Sequence, residues 1–154
     1  KTDGSLGRWR PNCHVFAFGE HLVGDFEDGR VYSIDFANFT DDGKTIMRRR
    51  RSPHVSGNLK RVIHSKFQID ARFGTGTNAG QGQQPTIMLR YSDDGGFSWS
   101  SEKWAQLGMI GQGLARGIWR RLGVSRNRVY EVTVTDPVDV ALIGADLDAT
   151  PCAS

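Results

Sequence analysis

Long apolar runs are missing from this chain: no stretch approaches the ~20 residues that a bilayer-spanning helix needs, and the mean hydropathy is −0.44. The chain opens Lys1-Thr2-Asp3-Gly4-Ser5 with no apolar stretch behind it, so no secretory signal is expected. It begins without Met, which reads as a processed product or an excised fragment. Cysteine is scarce, with Cys13 and Cys152 near opposite ends. Nothing in that spacing specifies a bridge, and two unpaired thiols are expected of a protein made in a cytoplasm. No Cys-x-x-Cys occurs, and His14, His21, His54 and His64 are scattered without a His-x-x-x-His pair, so neither a metal site nor a cofactor is expected. Helix signals are nearly absent as well, since only Ser101 to Leu107 suits a helical turn or two.

What is present favours strands and turns. The 154 residues suffice for one ordinary domain or for two small β modules. Nineteen glycines, and 13 Asp against 4 Glu, are a turn-forming composition, because Gly and Asp serve tight turns while Glu supports helix. Short apolar or alternating runs (Val15-Phe16-Ala17-Phe18, His21-Leu22-Val23-Gly24, Val31-Tyr32-Ser33-Ile34) are punctuated by Asp28-Gly29 and Asp42-Gly43. That rhythm predicts a meandering antiparallel sheet over residues 1–55, like one blade of a β-propeller, which needs something larger to complete it. Ser52-Pro53 to Asn58 reads as a boundary. Beyond it, residues 56–150 hold longer strands over Lys60 to Phe73, Thr86 to Tyr91, Arg116 to Leu122, Val129 to Val134 and Val138 to Leu147. The prediction is an all-β chain whose second module is an antiparallel sandwich or barrel of about six or seven strands. The Gly/Gln/Asn-rich stretch Thr75 to Gln84 is expected to be a flexible loop with no apolar anchor.

The most specific local pattern is Ser92-Asp93-Asp94-Gly95-Gly96-Phe97-Ser98-Trp99, which fits S-x-D-x-G-x-[S/T]-W. Here Ser92, Asp94 and Ser98 can bond turn amides, Gly96 can supply a positive φ, and Trp99 can pack its ring beneath the loop. The pattern resembles the Asp-box hairpins best known from sialidase propellers. The resemblance implies a folded turn rather than an active site, because in sialidases these boxes lie away from the catalytic centre.

A wider resemblance runs from about Trp9 to Asp148. His21-Leu22-Val23-Gly24-Asp25, Arg50-Arg51-Ser52-Pro53-His54-Val55, Leu89 to Gly96, Ile118-Trp119-Arg120-Arg121-Leu122-Gly123 and Thr135-Asp136-Pro137-Val138 follow one another in that order. In this the chain is similar to the packaged-DNA stabilisation proteins of short-tailed bacteriophages, also called tail accessory or nozzle proteins. It looks like the C-terminal portion of such a protein. The resemblance implies a non-catalytic virion tail component, made and assembled in the bacterial host cytoplasm. It implies a ring of copies, six in family members, below the portal, which helps close the channel on packaged DNA and carries needle or tailspike proteins.

Two other features are weighed against that reading. Arg outnumbers Lys 15 to 5, the net charge is +3, and Arg48-Arg49-Arg50-Arg51 is the strongest charge run. On a strand it would project two arginines from each face, suited to an acidic neighbouring subunit or, less favoured, to DNA phosphates. A charged edge that blocks unwanted sheet pairing is the plainer alternative. An Asp-box carbohydrate-binding or sialidase-like module is the competing function. Trp99, Trp104 and Trp119 could offer stacking rings, and exposed coplanar rings in a groove would favour sugar whereas packed rings favour a scaffold. The Tyr-Glu pair that a sialidase uses has only Tyr130-Glu131 as a candidate, and neighbours on a strand point to opposite faces. No catalytic residue is therefore assigned.

Overall fold

The computed structural model describes residues 7–58, 60–73, 80–107 and 114–152. All regular elements among the described residues are β-strands in antiparallel pairs, so the all-β expectation holds. They fall into two compact units, Lys1–Ile46 and Met47–Ser154.

In the first unit β1 (Pro11–Ala17), β2 (Glu20–Asp25) and β3 (Val31–Ile34) form a three-stranded meander, and β4 (Thr40–Asp41) and β5 (Lys44–Thr45) form a separate hairpin. The turn between β4 and β5 is Asp42-Gly43 with φ of 50° and 74°, the mirror-image turn that matches strand twist and that Asp-Gly favours. The β1–β2 turn has the same backbone on Phe18-Gly19, φ 55° and 80°, although an aromatic residue gains nothing from the left-handed region. Arg10 ties the base of the meander by donating to Asp25 (2.5 Å) and Asp28 (3.1 Å). Of the hydrophobic side chains in this unit, Val23 is the one that is fully buried among the described residues.

The second unit begins with β6 (Arg48–Arg51), β7 (Val55–Ser56), β8 (Val62–Phe73) and β9 (Thr86–Ser92). It continues through β10 (Lys103–Gln106), β11 (Leu114–Arg120), β12 (Val124–Ser125), β13 (Asn127–Val134) and β14 (Val140–Pro151). One sheet runs β10-β9-β13-β6, with β7 also on β13. In the other, β8 pairs with β11 and β12 along one edge and with β14 along the other. The two faces meet in one core. Phe67, Ile69, Ala71 and Trp119 come from the β8 sheet, and Ile87, Leu89, Tyr130, Val132 and Val134 from the β13 sheet. Phe67 stacks on Tyr130 at 4.5 Å between ring centroids. This is a sandwich. Gly117 sits where the Trp119 ring crosses the sheet, and a Cβ there would come within 2.9 Å of that ring.

Two expectations meet differences, and a third falls partly outside the described residues. The division falls at Ile46/Met47 rather than between residues 55 and 56, because β6 hydrogen-bonds to β13, some eighty residues away in sequence, and so belongs to the second sheet. Within Ser101 to Leu107, Lys103–Gln106 forms strand, not helix: it pairs in register with Thr86–Leu89, and pairing overrides a weak local preference. Of the loop Thr75 to Gln84, positions 75–79 lie outside the described residues; Gly80 to Gln83 form a turn, and Gln81 reaches Asp136 at 3.4 Å.

Candidate assembly surface

The arginines of β6 part as strand geometry requires, but their fates differ. Arg48 turns inward and donates to the carbonyls of Val138 and Asp136, clamping the Asp136-Pro137 corner. Burial pulls its guanidinium below the usual arginine range, while Asp136 and Asp139 act against that. On the opposite face Arg49 and Arg51 lie beside Glu131 of β13, Arg51 Nε donating to Oε2 at 2.5 Å and Arg49 Nε lying 3.4 Å from Oε1. Arg90 of β9 completes the cluster, donating to Oε1 at 2.6 Å. Burial alone would raise the Glu131 carboxyl, but the hydrogen bonds from Arg51 and Arg90 outweigh it and hold the group below the usual glutamate range. Three guanidinium groups around one carboxylate leave a surplus of positive charge, and Arg51 is half exposed. Arg50 is exposed and has no ion pair among the described residues.

The turn after β9 adjoins this cluster. Ser92 is buried and its Oγ donates to Asp94 Oδ1 at 2.7 Å while accepting the Gly96 amide at 2.7 Å. Asp94 accepts the Ser98 amide at 2.9 Å and the Ser98 hydroxyl at 2.5 Å. The Ser98 and Ser92 hydroxyls hold the Asp94 carboxyl well below the usual carboxylate range. Gly96 has φ of 103°, and its carbonyl accepts Trp99 Nε1 at 3.1 Å. The Trp99 ring lies against Arg51 and Arg90, their guanidinium carbons 5.0 and 4.8 Å from its centroid. Of the other candidate stacking rings, Trp119 is buried in the core and Trp104 is 61% exposed.

Beneath the turn lies a network that the residue pattern did not reveal. Asp93 holds the buried Arg128 with two bonds, 2.6 and 2.7 Å, and Arg128 Nη1 donates to the Leu122 carbonyl at 2.6 Å. The same guanidinium lies 4.0 Å from the Tyr91 ring centroid. Next to it His64 bridges Ser125 Oγ and the Tyr130 hydroxyl, each at 2.8 Å. Burial, helped by the Arg128 charge and opposed by Asp93, pushes the His64 imidazole below its usual range. Tyr130 thus faces the core and Glu131 the arginines, so the two occupy opposite faces of β13 with separate partners. His54 bonds Asn127 at 3.1 Å, and in the first unit His14 bonds His21 at 2.9 Å. Among the described residues no group of three potential metal ligands occurs, and Cys13 and Cys152 are both free.

A basic, Trp-backed edge on a two-sheet core offers surface for contact. Residues 47–150 match the family described as Bacteriophage P22 Gp10, beta-sandwich. The chain belongs to that family. Among curated proteins none matches the chain. The match begins where the second unit begins, so the Gp10-type sandwich and the compact unit are the same piece of chain. The Gp10-type sandwich is that of a phage structural protein of the virion, which assembles with other virion proteins.

Proposed function

We propose that the chain is part of the nozzle, or tail accessory ring, of a short-tailed phage. In this reading copies of it, six by the resemblance stated above, sit below the portal adaptor, help close the channel on packaged DNA and carry needle or tailspike proteins. It is synthesised and assembled in the host cytoplasm and has no catalytic role. The observation that carries the reading is the cluster of Arg49, Arg51 and Arg90 around Glu131, a fixed positive patch at a sheet edge. Arginine planes held rigidly in this way suit a protein interface, where charge sets register and excludes wrong partners. DNA phosphates could meet the same charge, though the half-buried guanidinium groups favour the protein partner. The Ser92–Trp99 turn acts as an Asp box in the structural sense, bracing Trp99 under the arginines. The carbohydrate reading is weaker, since Trp119 is in the core and Trp99 is covered by two guanidinium groups.

Arg49→Ser and Arg51→Ser alone would leave Glu131 a poorly compensated buried carboxylate, so the test adds Glu131→Gln. The triple variant is introduced into a tail-defective phage by complementation. The expected result is a folded chain that fails to enter tails, few infectious particles, and heads that lose their DNA. Normal titre and normal DNA retention with the triple variant would overturn the proposal.

A further inference from the structure

The sandwich is closed on one side and open on the other. On the closed side β10 and β11 are joined by the bond from Trp119 Nε1 to the Lys103 carbonyl, 2.9 Å. On the open side β6 and β14 are both edge strands, each paired on one side only. Between them lies a crevice of about 200 Å³ whose floor is core: Phe67 and Ile69 from β8, Tyr130 and Val132 from β13. Its β14 wall is Leu142 and Ile143. Ile143 is the extra residue of a β-bulge, between Leu142 and Gly144 in the register with β8, and is 63% exposed. Arg50 stands at the β6 rim.

Two independent features of this crevice point to the same occupant. The first is the backbone. Ser52 donates its amide to the Tyr130 carbonyl on β13, and by the alternation of an antiparallel ladder the amides of Arg49 and Arg51 face away from β13, along the free edge. A strand laid there would find main-chain partners, and its alternate side chains would drop onto the apolar floor. The second is charge. Arg50, exposed and without an ion pair among the described residues, stands at the mouth, and the half-exposed Arg51 lies on the outer face of the same edge beside Glu131, so a strand bearing Lys or Arg is disfavoured and one bearing carboxylates is favoured.

We propose that this crevice is a strand-docking site that receives an extended segment of another virion protein, with apolar residues at alternate positions and Asp or Glu between them. The proposal rests on reading the chain as an assembly component, and it names the kind of partner and the place where it seats.

The test is fluorescence anisotropy of the chain with labelled nonapeptides in which Val or Ile alternates with Asp or Glu. One control carries Lys at every acidic position, and another carries N-methyl groups on alternate amides. The expected result is saturable binding of the acidic peptide, at least about tenfold tighter than either control. Arg50→Glu and Ile143→Asp should each weaken it at least about tenfold while leaving the melting temperature unchanged, since both side chains are exposed. Absent binding, or binding indifferent to N-methylation or to the sign of charge, would overturn the proposal. So would a dimer of the chain in sedimentation that Ile143→Asp dissociates, because the crevice would then belong to a second copy. A failure here, with the triple variant still failing to enter tails, removes the strand site alone; peptide binding as expected, with a normal titre for the triple variant, removes the tail reading alone.

Discussion

The two units use the same grammar of short strands and Gly-containing turns, yet one has an interior and the other has almost none. In the second unit two sheets face each other and bury twelve residues in a single cluster. In the first, a three-stranded meander leaves Phe16, Val31 and Ile34 exposed, with Phe18 98% exposed at the hairpin tip. Strand formation and core formation are therefore separable. Pairing needs only a turn and complementary backbones, whereas burial needs a second layer.

The contrast can be tested by substitutions ranked by expected effect. Leu89→Ala, at the centre of the sandwich, should cost about 4 kcal/mol, read from chemical denaturation of the second unit. Asp93→Ala should cost about 3 kcal/mol, because it leaves the buried Arg128 without its ion-pair partner, with the Leu122 carbonyl, the Tyr130 hydroxyl and the Tyr91 ring face remaining. A loss below 1 kcal/mol for either would mean that the sandwich is not a single cooperative core. A milder effect comes from pH. His64 titrates below its usual value of 6.5 in the fold, so on acidification the unfolded chain takes up the proton first. Stability of the second unit is thus complete above that value and declines as pH falls from it toward the folded value. His64→Asn should flatten this slope in melts between pH 7 and pH 5 while leaving the first unit's response unchanged. The smallest effect belongs to the hairpin tip. Phe18→Asn places a residue tolerant of positive φ in the β1–β2 turn and should protect the amides of that hairpin from hydrogen exchange, by less than about 1 kcal/mol. The melting of the sandwich should not change.

The strand rhythm was legible wherever it is local. Val31–Ile34 and Thr86–Ser92 form strands close to where the alternation predicted them, and Asp42-Gly43 makes the expected turn. What stayed hidden depends on distant pairing. Arg48–Arg51 reads as the end of the first module only until β13 is known to lie beside it. Glu131 looked like half of a misplaced catalytic pair, because nothing near it in sequence announces Arg51 and Arg90 across two strand pairings. Arg128 and Asp93 are thirty-five residues apart and carry no motif in common. Ser92 to Trp99, by contrast, closes its hydrogen bonds within eight residues, so the groups that meet there are close neighbours in the sequence.

The ladder between β8 and β14 has a mechanical side. It runs from Val140 opposite Phe73 to Pro151 opposite Val62, nearly the full length of both strands. Its hydrogen bonds lie across the strands, so tension drawn along β14 meets them in shear, many sharing the load together, whereas a pull across the sheet would peel them one after another. A virion component loaded in line with β14 would therefore be loaded in its stronger direction.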